Sequence, residues 1–347
     1  MLKSRPRVVF VPLAAAGVTL IGACATIPDA PAPVVVDATP SLRAPEAEPE
    51  PLAPAIVEWT PEPPLLEWYP SIEWTPADPR QADAIVIRLA LPAGAPDNLA
   101  IGGDLAGRDL RFVRRGSHWF GVGGLPIDSA GFTELRVRFE GAGVDKQEIR
   151  LIRVRERRYE STQLSVAGRG EMEPETQERI RREAALIRGI LTAGTEDWLA
   201  VDGFEWPRPP AVTSPFGQRR VFNGEVRSRH LGTDFRGNQG GSIEAPGSGR
   251  IALVGDFFYQ GNAVYIDHGL GVFSGLFHMS RIEVREGDLV NRGQVVGRVG
   301  STGRSTAPHL HWSAYVGGQN VDPGSLLDLR MDEAGRVQTA ADREEDG

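Results

Sequence analysis

The sequence predicts a mainly β chain in which one helix connects two β units. Three observations carry this. Residues 82–158 alternate apolar and charged side chains over short runs, residues 174–191 repeat apolar positions at helical spacing, and residues 204–328 alternate again between frequent glycine turns. At 347 residues the chain is long enough for two domains and their connections. Its net charge of −8 lacks the basic footprint of nonspecific nucleic-acid binding, so no nucleic-acid partner is expected.

The elements follow in order. Residues 1–23 open with Lys3, Arg5 and Arg7, continue through an apolar run from Val8 to Ile21, and end on the small residues Gly22 and Ala23. This is the pattern of a secretory signal, too short to span a membrane comfortably. The tetrad Ile-Gly-Ala-Cys resembles the bacterial lipobox, whose cysteine becomes the lipidated first residue of the mature chain. Cys24 is therefore expected to carry a lipid anchor that holds an exported protein at a membrane. Ala25, not aspartate, follows it; in a cell with two membranes that implies the outer one, with the chain in the periplasm. Cys24 is the only cysteine, so no internal disulfide can form.

Residues 24–81 are rich in proline, alanine and glutamate and read as an extended tether. Within them "EWTP", "EWYP" and "EWTP" recur at 58–61, 67–70 and 73–76. Their tryptophans either stack on sugar rings or a partner, or pack back onto the folded part as a strap; exposed tryptophan is unfavourable, which favours the strap. In 82–158, "ELRVRFEG" places Leu135, Val137 and Phe139 on one face and Arg136 and Arg138 on the other, and "DAIVIRLAL" and "RFVRRGSHWFGV" behave alike. Several short strands in so few residues point to an immunoglobulin-like β-sandwich. Residues 159–203 form a helical connector. Its helix has Pro174 in the first turn, Ile180, Ala184, Ile187 and Leu191 on one face, Glu175/Arg179 and Glu178/Arg182 as candidate ion pairs, and Gly194 near the stop. Residues 204–328 form the second β unit, with strands at "GRIALVGD", "NAVYIDHG", "GVFSGLFHMS" and "QVVGRVGS". Residues 329–347 are polar and read as a frayed tail.

Five of the six histidines fall in this second unit. "RHLGTDF" holds His230 and Asp234, "LFHMS" holds His278, and "HLH" holds His309 and His311. Imidazole and carboxylate are good zinc ligands, and a catalytic zinc with three protein ligands keeps a position for water, lowering its pKa to about 7. His230, Asp234 and one or both of the last histidines could supply such a site. Residues two apart in a strand share a face, roughly 6–7 Å apart. Two such histidines could both bind one ion, or one could bind while the other reaches substrate, and spacing leaves both open.

The stretch through "VTSPFGQRR", "NGEVRSRHLGTDF", "GNAVYIDHG", "EGDLVNRGQVVGRVGSTG" and "STAPHLHW" resembles the lysostaphin and LytM-type zinc metalloendopeptidases, β-sheet enzymes that cut peptide bonds of bacterial peptidoglycan. The likeness covers residues 204–327, and the preceding sandwich and helix resemble the N-terminal part of Gram-negative members. It implies one Zn2+ held by His230, Asp234 and His311, with His278 and His309 working beside it on water and the developing oxyanion. For a Gram-negative cell it also points to the D-alanyl–diaminopimelate cross-link. Ala307 stands where glycine is common, and "GLFHMS" replaces the more usual "YAHLS"; neither removes a functional side chain. His268 in "IDHGLG" is expected to shape a turn or support a ligand. Arg219, Arg220 and Asn223 either border the substrate groove or fix the "NG" turn. His118 is expected to be an ordinary strand or turn residue.

Parts of the sequence also suggest two other functions. Some relatives have lost zinc ligands and activate cell-wall amidases; the complete set here argues against a purely regulatory role, though a regulatory or cell-division partner fits a hydrolase that must be restrained. A biotinyl or lipoyl carrier, suggested by "EGDLVNRGQVVGRVGS", needs a lysine in its turn, and no lysine follows Lys146.

Overall fold

Strand alternation divides side chains between two cores. In "AIVIRLA", Ile85, Ile87 and Leu89 enter one hydrophobic core, while Ala84 and Val86 on the opposite face enter another. The structure, a computed structural model, describes residues 68–163, 172–222, 225–329 and 331. All of them lie within one compact unit, Glu62–Gly347. The expected signal segment, Cys24, Trp59 and Asn223 fall outside the described residues.

The first β unit comprises β1 (Ser71–Thr75), β2 (Ala84–Ala90), β3 (Ala100–Leu105), β4 (Arg108–Arg115), β5 (His118–Gly124), β6 (Gly131–Gly141) and β7 (Val144–Val154). The strand order is β1-β2-β5-β4-β3-β6-β7. β4 joins the two halves: Arg108–Arg111 pair with β3, whereas Phe112–Arg115 pair with β5. Leu105, Leu125, Leu135, Val137 and Phe139 fill the space between them. The ordered unit begins before residue 82, because β1 pairs antiparallel with β2. Trp74 of β1 and Trp68 pack on this core, Trp68 edge-on to Phe139 at 5.3 Å. Two of the three repeat tryptophans thus form part of a strap, since each packs a half-buried ring on this core where proline-rich composition alone suggests a tether. His118 opens β5, with no place in the chemistry described below.

Beyond β7, β8 (Ser161–Gln163) joins parallel to β10 (Arg219–Phe222), which forms a hairpin with β11 (Glu225–Arg229). The helix α1 spans Pro174–Thr192, with Pro174 in its first turn. Its expected ion pairs shift partners. Arg179 binds Glu183 at 2.6 Å and Arg181 binds Glu178 at 2.7 Å. Glu183 also accepts the Phe258 amide at 2.8 Å, which docks the helix on the second unit. Ile187 and Ile190 pack there against Phe257, Tyr265 and Phe277. The last turn lacks a basic residue of its own. Arg111 of β4 supplies the charge, donating to the carbonyls of Thr192 and Gly194 and so capping the negative helix end from the first unit.

The second unit adds β9 (Val212–Ser214), β12 (Thr233–Arg236), β13 (Ser242–Glu244), β14 (Gly249–Phe257), β15 (Gly261–Gly269), β16 (Val272–Ile282), β17 (Leu289–Val290), β18 (Val295–Val299), β19 (His309–Val316) and β20 (Gln319–Val321). A main sheet runs β17-β14-β15-β16-β19-β12-β9; β18 pairs with β13 and β16, and β20 with β19. The two units share a core: Val86, Phe120 and Val122 join Ala314, Val316 and Val321. At Gly124 a Cβ would lie 3.0 Å from side-chain carbons of Val316 and Val321, tighter than ordinary contact, so glycine eases this approach. Arg157 fastens the same seam by pairing with Asp83 and Asp322. Leu329 and Met331 are buried, so the tail's first apolar residues belong to the core.

Candidate metal centre

Neighbouring strands bring the site together. β12 pairs antiparallel with β19, placing Asp234 directly opposite His311. His230 sits just after β11 and is fixed by two backbone bonds, its amide to Gln218 and its carbonyl to the Gly217 amide. His230 Nε2, Asp234 Oδ1 and His311 Nδ1 then converge, at 3.1 Å for His230–Asp234, 3.1 Å for His230–His311 and 2.7 Å for His311–Asp234. Among the described residues this is the group whose donor atoms converge as a metal site requires.

The remaining nitrogens decide which lone pairs are available. Nδ1 of His230 lies 3.1 Å from the Pro215 carbonyl, which can only accept, so this nitrogen carries the proton and Nε2 keeps its lone pair. Ser313 gives its hydroxyl proton to the Leu231 carbonyl at 3.0 Å and accepts at 2.9 Å from His311 Nε2, leaving Nδ1 of His311 as the donor atom. Both histidines therefore present lone pairs to the point Asp234 faces, as a bound cation needs. Burial pushes the Asp234 carboxyl up, but the two imidazoles that face it prevail and hold it well below the usual range. Burial also lowers His311, against the pull of Asp234. This set of two imidazoles and a carboxylate fits a divalent ion such as zinc.

His278 reaches the site by breaking the strand pattern. Phe277 lies opposite His311 in the β16–β19 ladder and stacks on it at 5.3 Å with planes 8° apart. Simple alternation would send the next side chain to the other face. Instead the β15–β16 register shifts between Asn262 and Val264, and His278 takes φ +63. This bulge turns the ring back, to 4.7 Å from His309 and 6.0 Å from His311. A non-glycine residue in that region costs about 1–3 kcal/mol, the kind of local strain found at functional sites. His278 Nδ1 donates to the Thr302 carbonyl at 2.9 Å and His309 Nδ1 to the Ala307 carbonyl at 2.8 Å. Both rings keep Nε2 for other work, and His309 Nε2 lies 3.7 Å from Asp234. Burial lowers His278 to about 4, so it is neutral at pH 7 and able to accept a proton.

All five expected side chains thus meet in one place. Arg220 lies instead in the β10–β11 hairpin opposite Ser228. His268 is fully buried: Nδ1 donates to the Ser248 carbonyl and Nε2 accepts from Ser274, whose oxygen accepts from Trp312 beside His311. Sequence reasoning missed Ser313, although it follows His311 by two along one strand and so shares its face. It also missed Gly232, where a Cβ would lie 2.3 Å from His311 Nε2.

The sequence pattern of peptidase family M23 matches residues 228–323. A 115-residue stretch is 42% identical to the DD-carboxypeptidase/endopeptidase Mpg of Neisseria meningitidis, covering 33% of this chain and 26% of that protein. A 112-residue stretch is 38% identical to the peptidoglycan DD-endopeptidase ShyA of Vibrio cholerae, covering 32% of this chain and 26% of that one. The chain thus spans about a quarter of the length of these curated relatives. A solved Pseudomonas aeruginosa protein assigned to peptidase M23 is similar over more of the chain, at 27% identity and a TM-score of 0.55, covering 72% of this chain and 95% of that one. With the site's geometry and the matched residues in agreement, this chain carries a domain of peptidase family M23, the LytM or lysostaphin type.

Proposed function

We propose that the chain is a zinc-dependent endopeptidase that cuts peptide cross-links of peptidoglycan. One observation carries the reading: three converging ligand atoms stand beside two imidazoles whose Nδ1 atoms are tied to backbone carbonyls. The relatives named as peptidoglycan DD-endopeptidases support the substrate class. His230, Asp234 and His311 would hold the ion, which when bound supplies Lewis acidity at the scissile carbonyl and toward water. His278 and His309 act through Nε2. One, as a neutral ring, takes the proton from attacking water at Nε2 and passes it to the departing amine; the other, as an imidazolium, donates a hydrogen bond from Nε2 to the oxygen that gains charge. Pro215 and Ser313 fix the tautomers of His230 and His311, and the carbonyls of Thr302 and Ala307 orient His278 and His309.

We further propose that Cys24 carries a lipid anchor holding the protein at the outer membrane, on the periplasmic side, and that a regulatory partner restrains cutting. We propose too that the first β unit is an immunoglobulin-type sandwich, a reading supported by a strand order that divides at β4 into 1-2-5-4 and 3-6-7. Purified cross-linked peptidoglycan incubated with the protein tests the main reading. Release of un-crosslinked peptides by the native protein, lost with Asp234→Ala, is expected. Intact cross-links with both proteins would reject it in favour of an amidase activator.

A further inference from the structure

β7 is an eleven-residue strand at one end of the sheet order. Among the described residues no strand pairs with its outward edge, and the turn that leads into it fixes which backbone groups point there. The β6–β7 turn is Ala142-Gly143, with φ of 52 and 78, and closes on Gly141 opposite Val144. Such a two-residue turn makes Val144 and every second residue after it bond to β6. The backbone groups of the odd-numbered residues therefore face outward. Arg155 confirms the parity, because its amide donates to Pro79 at 2.8 Å and its carbonyl accepts from Gln81 at 3.0 Å, both outside the β6–β7 ladder.

Among the described residues, Asp145, Gln147, Ile149, Leu151 and Arg153 have no such backbone partner on that side. The Ile149 carbonyl takes only a bond from the Arg150 side chain, an exposed contact that strand pairing would replace. Exposed edges are usually guarded by lysine, proline or a bulge. Here the edge has no proline, its ladder with β6 runs without a register shift, and Lys146 is turned away to the Trp68 carbonyl and Glu148. The outer face carries three exposed apolar side chains among charged ones: Ile149 is 47% exposed, Leu151 58%, and Phe132 of the adjoining β6 69%.

We propose that this edge is a dimerisation surface, at which a second copy of the chain pairs antiparallel about a two-fold axis through Ile149. Self-complementarity chooses the occupant. With Ile149 facing its symmetry mate, Gln147 faces Leu151 and Asp145 faces Arg153 of the other copy. All are outward-bonding residues, as an antiparallel ladder requires. Between them Glu148 meets Arg150, so opposite charges recur on both sides of the axis. The ladder uses the free edge from Asp145 to Arg153 and stops where Pro79 and Gln81 occupy Arg155. Moving the axis to Leu151 would require Arg155, which is already bonded, and moving it to Gln147 would leave Leu151 and Arg153 without strand partners.

The register is read with single cysteines introduced into the full chain carrying Cys24→Ser. Facing residues in a hydrogen-bonded pair have Cα atoms about 5.5 Å apart, within the range of about 4.4–6.8 Å that a disulfide spans. Mild oxidation of I149C is expected to give a covalent dimer, whereas Q147C, four residues from its mate along the ladder, stays monomeric. In sedimentation, D145R is expected to shift the cysteine-free chain toward monomer, and D145R/R153D to restore the dimer. A parent chain that is monomeric at all concentrations, equal crosslinking of both cysteine variants, or no rescue by the double exchange would overturn the proposal.

Discussion

Replacing His268 by glutamine is expected to remove a pH-dependent part of the chain's stability. Burial pushes this imidazole down to about 4 from an ordinary 6.5. Between those values the unfolded chain binds a proton at this position and the folded chain does not. The contribution is therefore fully present above about pH 6.5, falls as pH drops, and levels off near pH 4. The gap between 6.5 and about 4, at about 1.4 kcal/mol per pH unit, corresponds to roughly 3 kcal/mol. A glutamine amide can donate to the Ser248 carbonyl and accept from Ser274, so both polar partners remain served while the proton site is lost. The assay is urea unfolding of metal-free protein at about pH 7.5 and about pH 4.5, on either side of most of the transition. His278 and His311 are also lowered by burial and contribute with the same sign in both proteins, so the difference between native and variant isolates His268. The native protein should lose more stability on acidification by about 2–3 kcal/mol. Equal losses would refute the reasoning and mean that the imidazole is already protonated, or solvated, in the folded state.

Gly232→Ala should weaken zinc binding by about 10–100-fold, because its Cβ would meet both the His311 ring and the Trp312 carbonyl and displace the ligand; competition with a chromogenic chelator measures this. His309→Ala should keep stoichiometric metal yet lower kcat by about 10²–10⁴, read from cross-linked peptide cleavage beside metal analysis, since its Nε2 serves the reaction and not the ion.

Much of the site was legible because metal chemistry restricts residue type. Few side chains offer lone pairs to zinc, and His230, Asp234 and His311 stood in a recognisable setting beside His278 and His309. Strand alternation likewise revealed β2 and β6, and helical spacing revealed α1. What stayed hidden depends on contacts between distant parts of the chain. The strand at Ser71–Thr75 was read as tether because proline flanks it, although pairing with β2 and burial of Trp74 outweigh that local signal. Arg111 caps a helix more than eighty residues away, so no local pattern announces it. The left-handed backbone at His278 comes from a register shift between two strands, and the carbonyl of Thr302 that fixes its ring belongs to a residue of any type.

Titration of metal-free protein with zinc, with cleavage of a purified cross-linked stem-peptide dimer as the readout, tests the central claim most directly. A zinc enzyme of this kind shows no cleavage without metal, activity rising to a plateau at about one ion per chain, and no recovery at any zinc level for a His311→Ala variant. Full cleavage by the metal-free protein, or by His311→Ala, would contradict it.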